Sequence, residues 1–203
     1  MNQNIFAFLL NHIRKSRWLA RARRLFARGR YDSAAGWCQM VLELDRGCKP
    51  ARQLLDRIRG AAFRDAASRA SSEPSLEAEL NAAFWSIELE RPADVGVHAR
   101  RATRLHVRSG EPQPSAELML LRGQASCLNG FYRRAIAELE EAHRLLGTGL
   151  TGIEATYYLG LCFLAMSKEA ECRRCFSQVV SKYPWLAADR LQDLIEKIQP
   201  DSR

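Results

Sequence analysis

Apolar residues recur at three- and four-residue intervals along almost the whole chain, the period of one helix face. Ile5, Leu9 and Ile13, with Phe6 and Leu10 beside them, predict a helix over Asn2 to Arg28. Gly29 offers a turn, and Tyr31, Ala34, Cys38 and Val41 predict a second helix behind it. Leu54, Leu55, Ile58, Ala62 and Phe63 predict a third, over Lys49 to Ser68. The next residues, Ser68 to Pro74, are small and polar and end in proline, so a linker is expected there. Leu76, Leu80, Phe84 and Ile87 mark a helix over Ser75 to Glu90, and Pro92 suits the start of another over Ala93 to Arg108. A helix from Ala116 runs to the turn pair Asn129-Gly130, and its partner carries Ala135, Leu139 and Ala142 inward. Thr151-Gly-Ile-Glu154 has the form of a capping box and predicts the next helix start. Leu186 to Ile198 is amphipathic, with Leu191, Leu194, Ile195 and Ile198 on one side, as a closing helix requires. The pattern predicts an all-α chain of about ten helices.

Small residues fall at fixed places within this pattern. Leu159, Gly160, Phe163, Cys172, Phe176, Val179 and Pro184 occupy positions 7, 8, 11, 20, 24, 27 and 32 of a 34-residue unit, 153–186. Gly160, without a side chain, lets a second helix approach closely, and Cys172 allows the same from the other side. Phe163 and Phe176 fill the space beside that contact, and Pro184 stops the second helix. This spacing resembles the tetratricopeptide repeat, whose pattern asks for Trp, Leu-Gly, Tyr, Ala, Phe, Ala and Pro at positions 4, 7–8, 11, 20, 24, 27 and 32. The resemblance implies a solenoid of antiparallel helix hairpins. It extends to 15–48, with Trp18, Ala22, Leu25, Gly29, Tyr31, Ala34, Cys38 and Val41 at positions 4, 8, 11, 15, 17, 20, 24 and 27. It extends also to 116–149, with Gly123, Gly130, Tyr132, Ala135, Leu139 and Ala142 at positions 8, 15, 17, 20, 24 and 27. Arg21 and Arg122 stand at position 7, where the family prefers Leu, and Arg46 stands where Pro is usual. Residues 49–110 hold three helix-length segments, although an array of hairpins needs an even number. Within them, 76–109 reads as a degenerate repeat with Ala82, Ala83, Ala99 and Ala102 near the small positions. One helical domain over 1–203 is expected, closed by a capping helix at 186–198.

Charge changes this picture at one end. The chain carries a formal +8, yet residues 1–31 hold eight basic residues and no acidic one. Of the 31 basic residues, the 23 that remain are balanced by 23 acidic ones, so the whole excess lies in the first helix. Arg14, Arg17, Arg21, Arg24 and Arg28 follow at spacings of three and four and form one stripe, about 21 Å long at 1.5 Å per residue. Three readings stay open: a solvated cap on a terminal repeat, a docking face for an acidic protein, or contact with nucleic acid or an anionic membrane. With 47% hydrophobic and 27% charged residues and no apolar run of about 18, the chain reads as a folded protein without a membrane span.

Chemistry is sparse. Cys38, Cys48, Cys127, Cys162, Cys172 and Cys175 lie inside helical patterns, as small core residues of a protein in a reducing, cytoplasmic setting do. Cys172-Arg-Arg-Cys175 has CxxC form but no second pair, so no metal is expected. His12, His98, His106 and His143 belong to no catalytic motif. No cofactor and no enzymatic activity are expected. The resemblance implies binding on a concave surface lined by first helices. Residue by residue, this gives Glu117, Leu120, Gln124 and Leu128 in one repeat and Glu154, Tyr157, Leu161 and Ala165 in the next. The basic clamp that some relatives use for chaperone carboxylates is missing, since Glu117, Leu121, Glu154 and Tyr158 occupy its places. A mixed apolar and acidic surface suits a partner helix or peptide with some basic residues, unless these side chains simply pack between helices. The expected function is a non-enzymatic adaptor that binds another protein in this groove. The alternative is electrostatic binding of nucleic acid or anionic membrane through the basic stripe.

Overall fold

A computed structural model describes residues 3–182, with side chains from Arg14 onward. Among the described residues there are nine helices and no strand: α1 (Gln3–Ala27), α2 (Tyr31–Leu44), α3 (Lys49–Ser72), α4 (Leu76–Glu88), α5 (Pro92–Ser109), α6 (Ala116–Leu128), α7 (Tyr132–Leu146), α8 (Leu150–Ala165) and α9 (Glu169–Lys182). The closing helix expected at 186–198 lies outside the described residues. No described helix is long and apolar enough to cross a membrane.

One backbone turn recurs. Gly29, Glu90, Gly130 and Ser167 all have left-handed backbones, with φ of 69°, 55°, 80° and 57°. In each case the next helix begins two residues later, at Tyr31, Pro92, Tyr132 and Glu169. The amide at the turn residue donates to the carbonyl three residues back: Gly29 to Phe26, Glu90 to Ile87, Gly130 to Cys127 and Ser167 to Leu164, all at 2.9–3.0 Å. Counted in 34-residue frames from 15, 76, 116 and 153, every one of these turns falls at position 15. Position 20 is Ala34, Val95, Ala135 and Cys172, each fully buried.

The described chain forms two compact units. The first comprises residues up to Pro74 together with Phe84–Glu90. Its core gathers Leu19, Ala22, Ala34, Cys38, Val41, Leu54, Leu55 and Ile58 from α1, α2 and α3. Trp18 and Trp37 lie against this core with ring centroids 6.1 Å apart, and Arg59 of α3 pairs with Glu88 at 2.8 Å. Helix α3 does not stop at Ser68. Ala66 and Ala70 are both 1% exposed and extend its buried stripe by four-residue steps, so packing carries the helix through the expected linker to Ser72. Ser71 adapts by donating its hydroxyl back to the Ala67 carbonyl at 2.8 Å.

The second unit comprises Ser75–Ala83 and the residues from Arg91 onward. Here α6 packs on α7, α7 on α8, and α8 on α9, and α6 also touches α8. Ser115 caps α6 by accepting the Leu118 amide at 3.2 Å. Helix α8, by contrast, starts one residue before the expected capping box, with Gly149 as its N-cap and no side-chain cap bond. A Cβ on Gly152 would overlap the Gly147 carbonyl, so the connector presses against the first turn and leaves Thr151 no capping role. Ile153, Cys172, Phe176 and Val179 make the last core, with Tyr157, Leu161 and Phe163 packed around it.

Candidate functional site

Two close helix contacts lie where side chains are missing. A Cβ on Gly123 would stand 2.6 Å from Leu139 Cγ and 3.3 Å from the Leu139 amide nitrogen. A Cβ on Gly160 would stand 2.7 Å from Phe176 Cδ1. Both glycines sit at position 8 and face position 24 of the second helix. In the first unit the equivalent residues, Ala22 and Cys38, are both fully buried.

The two arginines at position 7 find partners across the hairpin at position 23. The Arg21 guanidinium lies 4.7 Å from the centre of the Trp37 ring. Arg122 donates to Glu138 Oε1 through Nε at 3.1 Å and through Nη2 at 2.7 Å. His98 also stands at position 23. Its Nδ1 donates to Glu79 Oε2 at 2.6 Å, with both side chains buried and Arg101 at 3.9 Å from the other carboxylate oxygen. A leucine at position 7 is thus replaceable by a cation when position 23 offers a ring or a carboxylate. The buried Glu79–His98 pair escaped the sequence reading, because 19 residues separate two polar side chains that each lie within an apolar pattern.

The residues expected to line a groove fall on α6 and α8. Glu117 is exposed, Leu120 and Gln124 are buried, and Glu154, Tyr157 and Leu161 are half-buried. The structure brings Gln124 and Glu154 together: Gln124 Nε2 donates to Glu154 Oε1 at 2.8 Å, which ties the two first helices side by side. Tyr157 rests against the ring of Phe176, with centroids 6.2 Å apart, and against Tyr158 at 5.4 Å. Leu120, Gln124 and part of Tyr157 therefore serve packing, while Glu117, Glu154 and Leu161 retain contact with solvent.

Arg14, Arg17, Arg21, Arg24 and Arg28 are all exposed on α1. Arg24 Nε reaches the Ala20 carbonyl of its own helix at 3.4 Å. Lys15, beside the stripe, pairs with Asp45 at 2.8 Å, and that contact holds the Asp45 carboxyl below its ordinary range. The six cysteines are free thiols. Burial pushes Cys38 and Cys175 up to about 11, and Cys172 is raised for the same reason. Such thiols are poor nucleophiles near neutral pH. The hydrogen bond between Cys127 and Cys162 lowers the first and raises the second. Among the described residues, no cluster of His, Cys, Asp or Glu is placed to hold a metal ion.

No protein-family profile matches the chain, and no curated protein matches it. Solved structures do. TTC0263, a thermophilic TPR protein of Thermus thermophilus, is similar over 91% of this chain and 96% of its own, with 20% identity and a TM-score of 0.50. The fold is of the tetratricopeptide type. MamA protein also aligns, over 88% of this chain and 96% of its own, at 16% identity and a TM-score of 0.45. The all-α class expected from the helical period and the helix-hairpin solenoid implied by the resemblance are therefore seen in the structure.

Proposed function

We propose that this chain is a non-enzymatic scaffold that binds another protein along α6 and α8. The observation that carries the reading is the Gln124–Glu154 hydrogen bond, which fixes two first helices beside each other at 2.8 Å. Two helices held in register present Glu117, Glu154 and Leu161 at fixed separations. A partner then binds without the cost of ordering its receptor. The exposed and half-buried groups mix carboxylate and apolar surface, which suits an amphipathic helix or extended segment with basic residues. Six free thiols fit a cytoplasmic location.

A site-specific photo-cross-linker tests this reading in the native cell. Placed at Glu117 or Leu161 it captures a discrete protein; placed at Gln178, exposed on α9, it does not. The same capture fails when Glu154→Lys is introduced. Equal capture from all three positions would overturn the groove. So would a partner whose binding ignores Glu154→Lys but is abolished by Arg17→Glu with Arg24→Glu.

A further inference from the structure

A cleft of about 420 Å³ lies where α5 meets α6 and the start of α7, lined by residues other than those of the α6/α8 groove. Gly96, Arg100 and Arg104 follow one another by four residues along α5 and line one wall. Arg122 and Arg134 line the other, and Phe131 stands on the rim, 64% exposed. The Glu138 side chain, 12% exposed, accepts from Arg122 at 2.7 Å and from Arg134 Nε at 3.3 Å. Four guanidinium groups line the cleft and one carboxylate, Glu138, pairs with two of them, which leaves three positive charges in excess. Arg100 and Arg104 have no acidic partner among the described residues, and both are exposed. Arg122 and Arg134 keep N–H donors beyond those given to Glu138, with side chains 30% and 66% exposed.

We propose that this cleft binds an acidic segment of a partner protein, a few Asp or Glu side chains followed by an apolar residue that packs on Phe131. The inference extends the scaffold reading by a site and a ligand chemistry of its own. Charge complementarity sets the anion. Arg122 and Arg134 already donate to one carboxylate, that of Glu138, at hydrogen-bonding distance. Concavity and the rim ring select a peptide over a duplex. A phosphate ladder would meet such a recess at its edges only, whereas one side chain at a time enters it, and a duplex backbone gives Phe131 no apolar partner.

The test uses the full chain and a fluorescein-labelled dodecapeptide of Glu and Asp with one Phe, titrated at moderate salt. Its counterpart has every acid replaced by Lys, and a short DNA duplex is the third probe. The acidic peptide alone binds, and Arg100→Glu with Arg104→Glu weakens it at least about tenfold, as loss of two charge-assisted hydrogen bonds requires. Reversing Arg173 and Arg174 on α9 instead leaves binding unchanged, since both are exposed far along the sequence from the cleft. If the reversed pair proves unfolded by circular dichroism, Arg100→Gln with Arg104→Gln serves the same comparison. The proposal is overturned if both pairs of reversals weaken the peptide equally, if neither does, or if the duplex binds better and depends on Arg100 and Arg104. A failed peptide titration with cross-links at Glu117 and Leu161 intact rejects the cleft alone. Peptide binding without those cross-links rejects the groove alone.

Discussion

At the scale of single residues, the helix contacts are decided by one atom. Adding a Cβ at Gly160 drives it into the fully buried ring of Phe176. The overpacking costs about 1–3 kcal/mol and outweighs the roughly 0.5–1 kcal/mol of helix propensity that alanine brings. Gly160→Ala is therefore expected to lower the urea midpoint, and Phe176→Leu in the same chain to recover part of the loss. A Cβ on Gly36, in α2, would meet nothing within 4 Å, so Gly36→Ala should gain about 0.5–1 kcal/mol in the same assay. The thiols give a second residue-level expectation. With Cys38 and Cys175 at about 11, roughly a thousandth of each is thiolate at pH 8, and iodoacetamide should modify both slowly until the chain is unfolded. A thiol whose pKa is higher in the folded chain holds its proton more tightly there. The contribution is complete below about pH 9 and is lost as pH climbs towards 11, so the denaturation midpoint should fall over that window.

At the scale of elements, the hairpin turn sets the register of each helix pair. Two of the four turns use glycine and two place a side chain in the left-handed region. A non-glycine residue there costs about 1–2 kcal/mol. Ser167→Gly is therefore expected to raise the melting temperature, whereas Gly130→Ser should lower it, both read by circular dichroism. Gly29 and Gly130 made two turns legible in the sequence; Glu90 and Ser167 hid the others, because neither residue type announces a positive φ. The same local blindness explains α3. Ser68 to Ser72 has the composition of a linker, yet burial of Ala70 outweighs it.

At the scale of the molecule, charge and fold are separable. The five stripe arginines are all exposed, so replacing them with glutamine lowers the net charge from +8 by five, to +3, without opening the core. The variant should keep its helical signal and elute much earlier from a cation exchanger. The substitution removes the Arg21–Trp37 stack between α1 and α2, which sets a stability change of about 0.5–1 kcal/mol. If helical signal fell sharply, the stripe would be holding the first unit together.

The sequence by itself determined the helical period, the hairpins with glycine turns and the places where small residues stand. Each of these follows from the backbone geometry of a few neighbouring residues. The tertiary structure alone decided how residues many turns apart compensate one another. Arg122 reaches Glu138 across 16 residues and Glu79 reaches His98 across 19. Gln124 reaches Glu154 across 30. The arginine cleft, too, exists only once α5 lies against α6. Polar side chains carry no periodic signal of their own, and their energies depend on a distance that is fixed only when helices pack.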